Sequence, residues 1–193
     1  MTFIEVIHEA DATGKLAELY QRFGSPDGTV DNVLKAHAIN PDSLEAHIAL
    51  YVQSLHRPSP LSRAERELVG TAVSDANGCT YCREHHGRGA ERLLPDDRKE
   101  VARAVMAGDY STLTDRERAM VDYAVKLTRT PAEITAADVD ALRDAGLTDR
   151  EVLDLAQVVG YFCYGNRIVL GLGAKLEDES RLGQWPKEGG TSA

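Results

Sequence analysis

The sequence predicts an all-α protein, and three observations carry that prediction. Apolar residues recur at helical spacing in one segment after another, as in Leu16, Leu19, Tyr20 and Phe23, and no period-2 stretch of any length suggests a strand. One local pattern appears three times: leucine, a hydroxyl residue, two spacers and glutamate, at Leu61-Ser62-x-x-Glu65, Leu113-Thr114-x-x-Glu117 and Leu147-Thr148-x-x-Glu151. Each reads as a capping box preceded by a hydrophobic residue, which starts a helix. Glycines and prolines (Gly24, Pro58, Pro95, Gly108, Pro131, Gly146) stand where such helices would have to end.

In chain order, the first helix is expected over 12–23, closed by Gly24 and the Ser25-Pro26-Asp27-Gly28 turn. A shorter one follows over 31–38. Asn40 then caps a third, with Pro41 in its first position, running through Leu44, Ile48, Tyr51 and Leu55 until Arg57-Pro58-Ser59-Pro60 breaks it. Ser62 opens a helix over 63–76 that Asn77-Gly78 closes. Further helices are expected over 81–93, 97–106, 115–128 and 136–144, and a long apolar one follows Thr148. That last region carries Asn166, Arg167 and several glycines, which suits a buried helix rather than a membrane span. Residues 1–176 are expected to form one helical domain. Residues 177–193 read as a polar, flexible tail, with Trp185 a candidate anchor.

A formal charge of −9 and a pI near 5.1 argue against nucleic acid or an anionic membrane as partner. Lysines and arginines are scattered rather than clustered. With no leading apolar stretch of the secretory kind, the expected compartment is the cytoplasm. Three cysteines cannot all pair, and in a reducing compartment a Cys-x-x-Cys is more often catalytic or metal-binding than structural.

The chemistry concentrates in 67–86, ELVGTAVSDANGCTYCREHH. At about 100° per residue, Cys79, Cys82, His86, Gly89 and Leu93 share one helical stripe, and of the two adjacent histidines His86 is aligned with both sulfurs. If the helices on either side of Gly78 form a hairpin, Glu67 and His86 differ in height by only roughly 4–5 Å. Gly70, Thr71 and Ser74 on the Glu67 face are small enough for close helix packing, and Leu68, Val69, Ala72, Val73 and Ala76 form the opposite, apolar face. A helix N-terminus and a nearby imidazole both favour a thiolate, so Cys82 reads as the nucleophile, Glu67 as the group that orients His86, and Cys79 as the resolving thiol. A peroxide would oxidise Cys82 to a sulfenic acid, and Cys79 would capture it as a disulfide for an external dithiol to reduce. The same residues also fit a zinc site completed by His85, Cys163 or Glu67, or two inert buried cysteines. Cys163, among Tyr161, Phe162 and Tyr164, reads as core, and His85 as a surface or supporting residue. His8, His37, His47 and His56 read as structural. Asn166-Arg167 reads first as a buried polar or ionic contact, and second as a wall of the site.

Glu67-x11-Cys79-x2-Cys82-x3-His86, together with Leu61-Ser62, Asn77-Gly78-Cys79-x-Tyr81-Cys82 and Asn166-Arg167, resembles the AhpD-like family of alkylhydroperoxidase D and the carboxymuconolactone decarboxylases, in its peroxidase-related branch. The likeness runs loosely over 6–176. It implies an all-α AhpD-like fold of packed helical hairpins and homo-oligomers, often trimers or hexamers. It also implies thiol-dependent reduction of hydroperoxides without a cofactor, by an oxidoreductase acting on peroxide and supplied with electrons by an external dithiol such as a lipoyl or thioredoxin-like protein. Carried over by motif, Cys82 is peroxidatic, Cys79 is its partner and proton donor, and Glu67 with His86 forms a proton relay. The chain departs from alkylhydroperoxidase D at Tyr81, where that protein has a relay histidine. A phenol with a pKa near 10 cannot shuttle protons at neutral pH as an imidazole does, which leaves room for a disulfide or another electrophile as substrate. Decarboxylase members lack the cysteine pair.

Overall fold

Ser62, Thr114 and Thr148 each accept a hydrogen bond from the backbone N–H of the glutamate three residues on, and that glutamate returns to the cap's own N–H. All three predicted capping boxes therefore form. A fourth pairs Thr135 with Asp138, whose Oδ2 accepts from the Thr135 N–H and hydroxyl. In the computed structural model, which describes residues 2–184, these signals open four of nine α-helices: α1 Gly14–Phe23, α2 Asn32–Lys35, α3 Pro41–Leu55, α4 Arg63–Ala76, α5 Thr80–Leu93, α6 Lys99–Met106, α7 Asp115–Arg129, α8 Ala136–Asp144 and α9 Asp149–Leu172. No strand occurs among the described residues. The start of α7 ties two other helix starts together, because Arg116 donates to Glu65 at 2.9 Å and to Glu151 at 2.6 Å.

The chain packs around α4. Every residue from Arg66 to Ser74 is buried, so the helix has no solvent face over that stretch. Val69 and Val73 join Met120, Leu155, Val158 and Phe162 in one apolar cluster, while Leu68 and Ala72 join Ala90, Val101, Val105 and Val121 in another. The packed Glu67 face expected from its small residues is therefore present. Gly70 lets α9 approach, since a Cβ there would overlap the Phe162 ring. Thr71 and Ser74 turn their hydroxyls onto backbone carbonyls of their own helix, Glu67 O and Gly70 O, and so enter the core without an unpaired donor. Cys163 is half-buried against the central cluster, between Asn77 and Thr128.

Two segments differ from their sequence-based expectation. The helix expected over 31–38 is regular only to Lys35, because the amides of His37 and Ala38 bond three residues back rather than four. The second is the segment after α9. Gly173 ends that helix in the left-handed conformation, φ +69°, and the chain then turns back across α5. Leu182 and the Glu177 side chain are buried, and Gly183 sits against the backbone of Arg88 and Gly89 where no side chain would fit. Polarity alone suggested a free tail over 177–193, but Glu177, Glu179 and Arg181 find partners in Asn32, Tyr81, His85, Arg88 and Asp31. Trp185 lies outside the described residues. Among those residues no helix is long and apolar enough to cross a membrane.

Gly70→Ala weighs two opposed terms. Alanine gains about 1 kcal/mol of helix propensity, whereas overpacking a filled core costs typically about 1–3 kcal/mol, and more where nothing can move. Phe162 is fully buried, so the clash should win. Urea unfolding of Gly70→Ala should show a net destabilisation of about 1 kcal/mol or more, and an unchanged or raised midpoint would contradict this packing.

Candidate active site

Glu67 and His86 meet across the α4–α5 hairpin. Asn77 caps α4, Gly78 turns the chain at φ +68°, and the Cys79 amide closes the turn onto Ser74 O at 2.8 Å. The antiparallel return brings His86 Nδ1 to 2.6 Å from Glu67 Oε2. Glu67 is only 3 % exposed, and Gly89 makes room for it, since a Cβ there would already lie 3.4 Å from the carboxylate. Burial by itself would raise the Glu67 carboxyl, but the charge and hydrogen bond of His86, then Arg63 and His56, hold it below the usual carboxylate range. An ionised Glu67 accepts the Nδ1 proton, which fixes the tautomer and leaves Nε2 as the second proton-exchanging atom of His86. The edge of Phe162, 4.6 Å between centroids and 89° between planes, holds the ring on its other side.

Both thiols are reduced and lie in contact. Cys79, at 1 % exposure, is the N-cap of α5, so the Tyr81 and Cys82 amides point at its sulfur. The hydrogen bond from Cys82, then those amides and Asn166, push the Cys79 thiol down against the opposing effect of burial. The same Cys79 hydrogen bond, with burial and the adjacent sulfur charge, pushes Cys82 well up. Of the two thiols, Cys79 is therefore the easier to deprotonate. The helix starts at Thr80, one residue before the expected Tyr81, and Cys82 lies in its first turn as expected.

Access runs the other way. A cavity of about 280 Å³ is lined by Cys82, His86, Glu67, Tyr51, Tyr161 and Phe162, among others, and Cys79 takes no part in its wall. The four residues singled out in the sequence thus come together, three of them on the cavity and the fourth behind it. Among the described residues no group of three or more His, Cys, Asp and Glu side chains is arranged to hold a metal ion.

Asn166, fully buried, donates to Ser74 Oγ at 3.2 Å and accepts from Asn77 at 2.9 Å, the buried hydrogen-bond role read first from its isolation in an apolar run. Its side chain also favours the thiolate form of either cysteine. Sequence reasoning missed several residues around the cavity. His85 also lines the cavity and bonds through Nε2 to Glu177 Oε2 at 2.7 Å. Glu177 further accepts from the Tyr81 hydroxyl at 2.9 Å and the Asn32 amide at 2.6 Å. Burial, followed by the charges of Glu177 and Asp31, raises the Tyr81 phenol well above its ordinary value, so it stays protonated. No local signal in the sequence links Glu177 to a helix ninety residues earlier. His47 lines the cavity too, 3.4 Å from the Tyr161 hydroxyl, with Nδ1 buried and unpaired.

Burial, then neighbouring His37, pushes His47 down to about 3, so it stays neutral in the folded chain at mildly acid pH. The unfolded chain takes up that proton near pH 6.5. The unfolded state therefore binds more protons as pH falls below 6.5, and stability must fall with it, by about 2 kcal/mol for this residue between pH 6.5 and 5. Denaturant midpoints measured over that window should decline in the wild type and decline less in His47→Asn. Parallel profiles would contradict a neutral, buried His47.

Comparison with known proteins agrees with this architecture. Residues 41–99 match the model of the carboxymuconolactone decarboxylase family. A peroxidase-related protein from Silicibacter sp. TM1040 is similar in structure at TM-score 0.73 and 37 % identity, over 79 % of this chain and 79 % of that one. An alkylhydroperoxidase AhpD core, a peroxidase-related protein from Ralstonia eutropha JMP134, is similar at TM-score 0.81 and 28 % identity, over 96 % and 98 % of the two chains. The debrominase Bmp8 shares the fold at TM-score 0.77 and 19 % identity, over 94 % and 95 %. No curated protein matches the chain significantly. With more than a third of its aligned residues shared with a peroxidase-related protein over most of its length, the chain belongs to the AhpD-like, carboxymuconolactone decarboxylase superfamily.

Proposed function

We propose that the protein is a thiol-dependent peroxidase that reduces a hydroperoxide with the Cys79–Cys82 pair, Cys82 forming the sulfenic acid and Cys79 resolving it. The observation that carries this reading is the asymmetry of the two thiols: Cys82 borders the cavity, whereas Cys79 lies buried behind it and is the easier to deprotonate. The two thiols are coupled, and loss of the Cys82 proton to His86 puts a thiolate where a substrate can reach it. The Cys82 sulfur then attacks the terminal peroxide oxygen, an S–O bond forms, the O–O bond breaks, and the alkoxide leaves. Cys79 next displaces hydroxide from the Cys82 sulfenic acid to give the disulfide, and its own proton leaves with that hydroxide as water. His86, oriented by Glu67, is the group that receives and returns protons at the cavity wall.

The electron donor in the proposal is an external dithiol, of lipoyl or thioredoxin-like type, acting in a reducing cytoplasm. The enzyme would work as a homo-oligomer and without a cofactor.

One equivalent of cumene hydroperoxide should consume two thiols per chain in the wild type and yield a Cys79–Cys82 disulfide by peptide mass mapping. Cys79→Ser should stop at a sulfenic acid on Cys82, and Cys82→Ser should leave Cys79 reduced. Glu67→Gln should slow oxidation by about 10²-fold, as loss of an oriented proton carrier does. A wild type that keeps all its thiols after peroxide would rule the reading out.

A further inference from the structure

His85 and Glu177 have no part in the steps above, although His85 lines the same cavity as Cys82 and Glu177 holds it there. On α5, Cys82, His85 and His86 stand at positions i, i+3 and i+4, so both imidazoles lie one turn on, on the thiol's side of the helix. All three line the cavity. Each imidazole is tied through one ring nitrogen to a buried carboxylate. For His86 that carboxylate is Glu67 of α4, at 2.6 Å, and for His85 it is Glu177 of the returning segment, at 2.7 Å.

Glu177 is held as firmly as Glu67. Its side chain is 2 % exposed and accepts from the Asn32 amide at 2.6 Å and the Tyr81 hydroxyl at 2.9 Å. The Tyr81 ring stacks on His85, with centroids 4.6 Å apart and planes 28° apart, which fixes the imidazole's orientation. Asp31 faces the same group and is itself paired with Arg181 at 2.8 Å. A buried ion pair seldom outperforms apolar packing as a source of stability, so a carboxylate carried into this position from a distant segment points to a task in the cavity.

Peroxide cleavage sets two proton requirements: the thiol must lose one, and the departing oxygen must gain one. Resting on the thiol-peroxidase reading, we infer that the two pairs divide these tasks, His86 with Glu67 taking the thiol proton and His85, positioned by Glu177, protonating the leaving oxygen. Cys82 sulfur gives two electrons to the O–O bond as the S–O bond forms. The RO⁻ fragment takes a proton from His85 and departs as ROH, and His85 regains a proton from solvent through the cavity. The proton from the Cys82 thiol leaves by way of His86. His85 is then a catalytic acid and Glu177 a positioning residue.

The leaving group tests this division. An alkyl hydroperoxide expels a strongly basic alkoxide that needs the proton, whereas a peracid expels a weakly basic carboxylate that does not. Cys82 oxidation should be timed with cumene hydroperoxide and with peracetic acid in the wild type, His85→Gln, Glu177→Gln and His86→Gln. His85→Gln and Glu177→Gln should slow the alkyl hydroperoxide by about 10²-fold while the peracid stays within a few-fold, and His86→Gln should slow both. Equal losses on the two oxidants, or no loss, would overturn the inference while leaving the peroxidase reading intact. If the wild type reacts with neither oxidant at Cys82, both fall. Circular dichroism checks that each variant folds, and should His85→Gln fail to, Glu177→Gln carries the same leaving-group signature.

Discussion

A carboxylate enclosed between packed helices costs several kcal/mol unless another charge or a set of donors compensates it, and Glu67 imposes that condition at the centre of this fold. His86 meets it, at 2.6 Å, and Arg63 adds a longer contact at 3.7 Å. Much of the surrounding geometry serves that pairing. Gly89 leaves space opposite the carboxylate, Gly78 turns the chain tightly enough to return α5 along α4, and Gly70 lets Phe162 come close enough to hold the imidazole's far side. Because α4 is buried on all sides from Arg66 to Ser74, the pair cannot relax toward solvent. A site built on two rigid, mutually buried helices keeps the thiols and the proton carriers in register.

The thiol pair separates two properties that one reactive cysteine would combine. Cys79 has the amides that ease its deprotonation, while Cys82 borders the cavity. Their hydrogen bond couples them, so reactivity belongs to the pair and not to either sulfur alone. Asn166, buried and bonded to both thiols, stabilises whichever sulfur is charged. That accounts for a polar residue in the middle of an apolar helix.

Much of this was legible in the chain itself, where the cause was local. The bounds of α4 follow from Ser62 with Glu65 at one end and Asn77-Gly78 at the other, and the Glu67–His86 contact follows from counting along two helices on either side of that turn. Reading failed where the cause was a distant contact. Choosing His86 over His85 by stripe alignment overlooked that i+3 and i+4 both face the thiol. Glu177 sits in a charged run that looks solvated in sequence, and only the fold shows that Asn32, Tyr81 and His85 converge on it. His47 lies on a helix whose face toward α9 is invisible until α9 is placed.

Thiolate absorbance against pH, in the wild type and in Cys82→Ser and Cys79→Ser, measures most directly how the two sulfurs differ in acidity. The wild type should release one proton below the ordinary free-thiol value near 8.5 and hold the second well above it. Cys82→Ser should still titrate at Cys79, at a value set by the α5 amides, and Cys79→Ser should leave Cys82 high. Two independent titrations near 8.5 in the wild type, unchanged in either variant, would contradict the coupling of the two thiols and the division of acidity and access built on it.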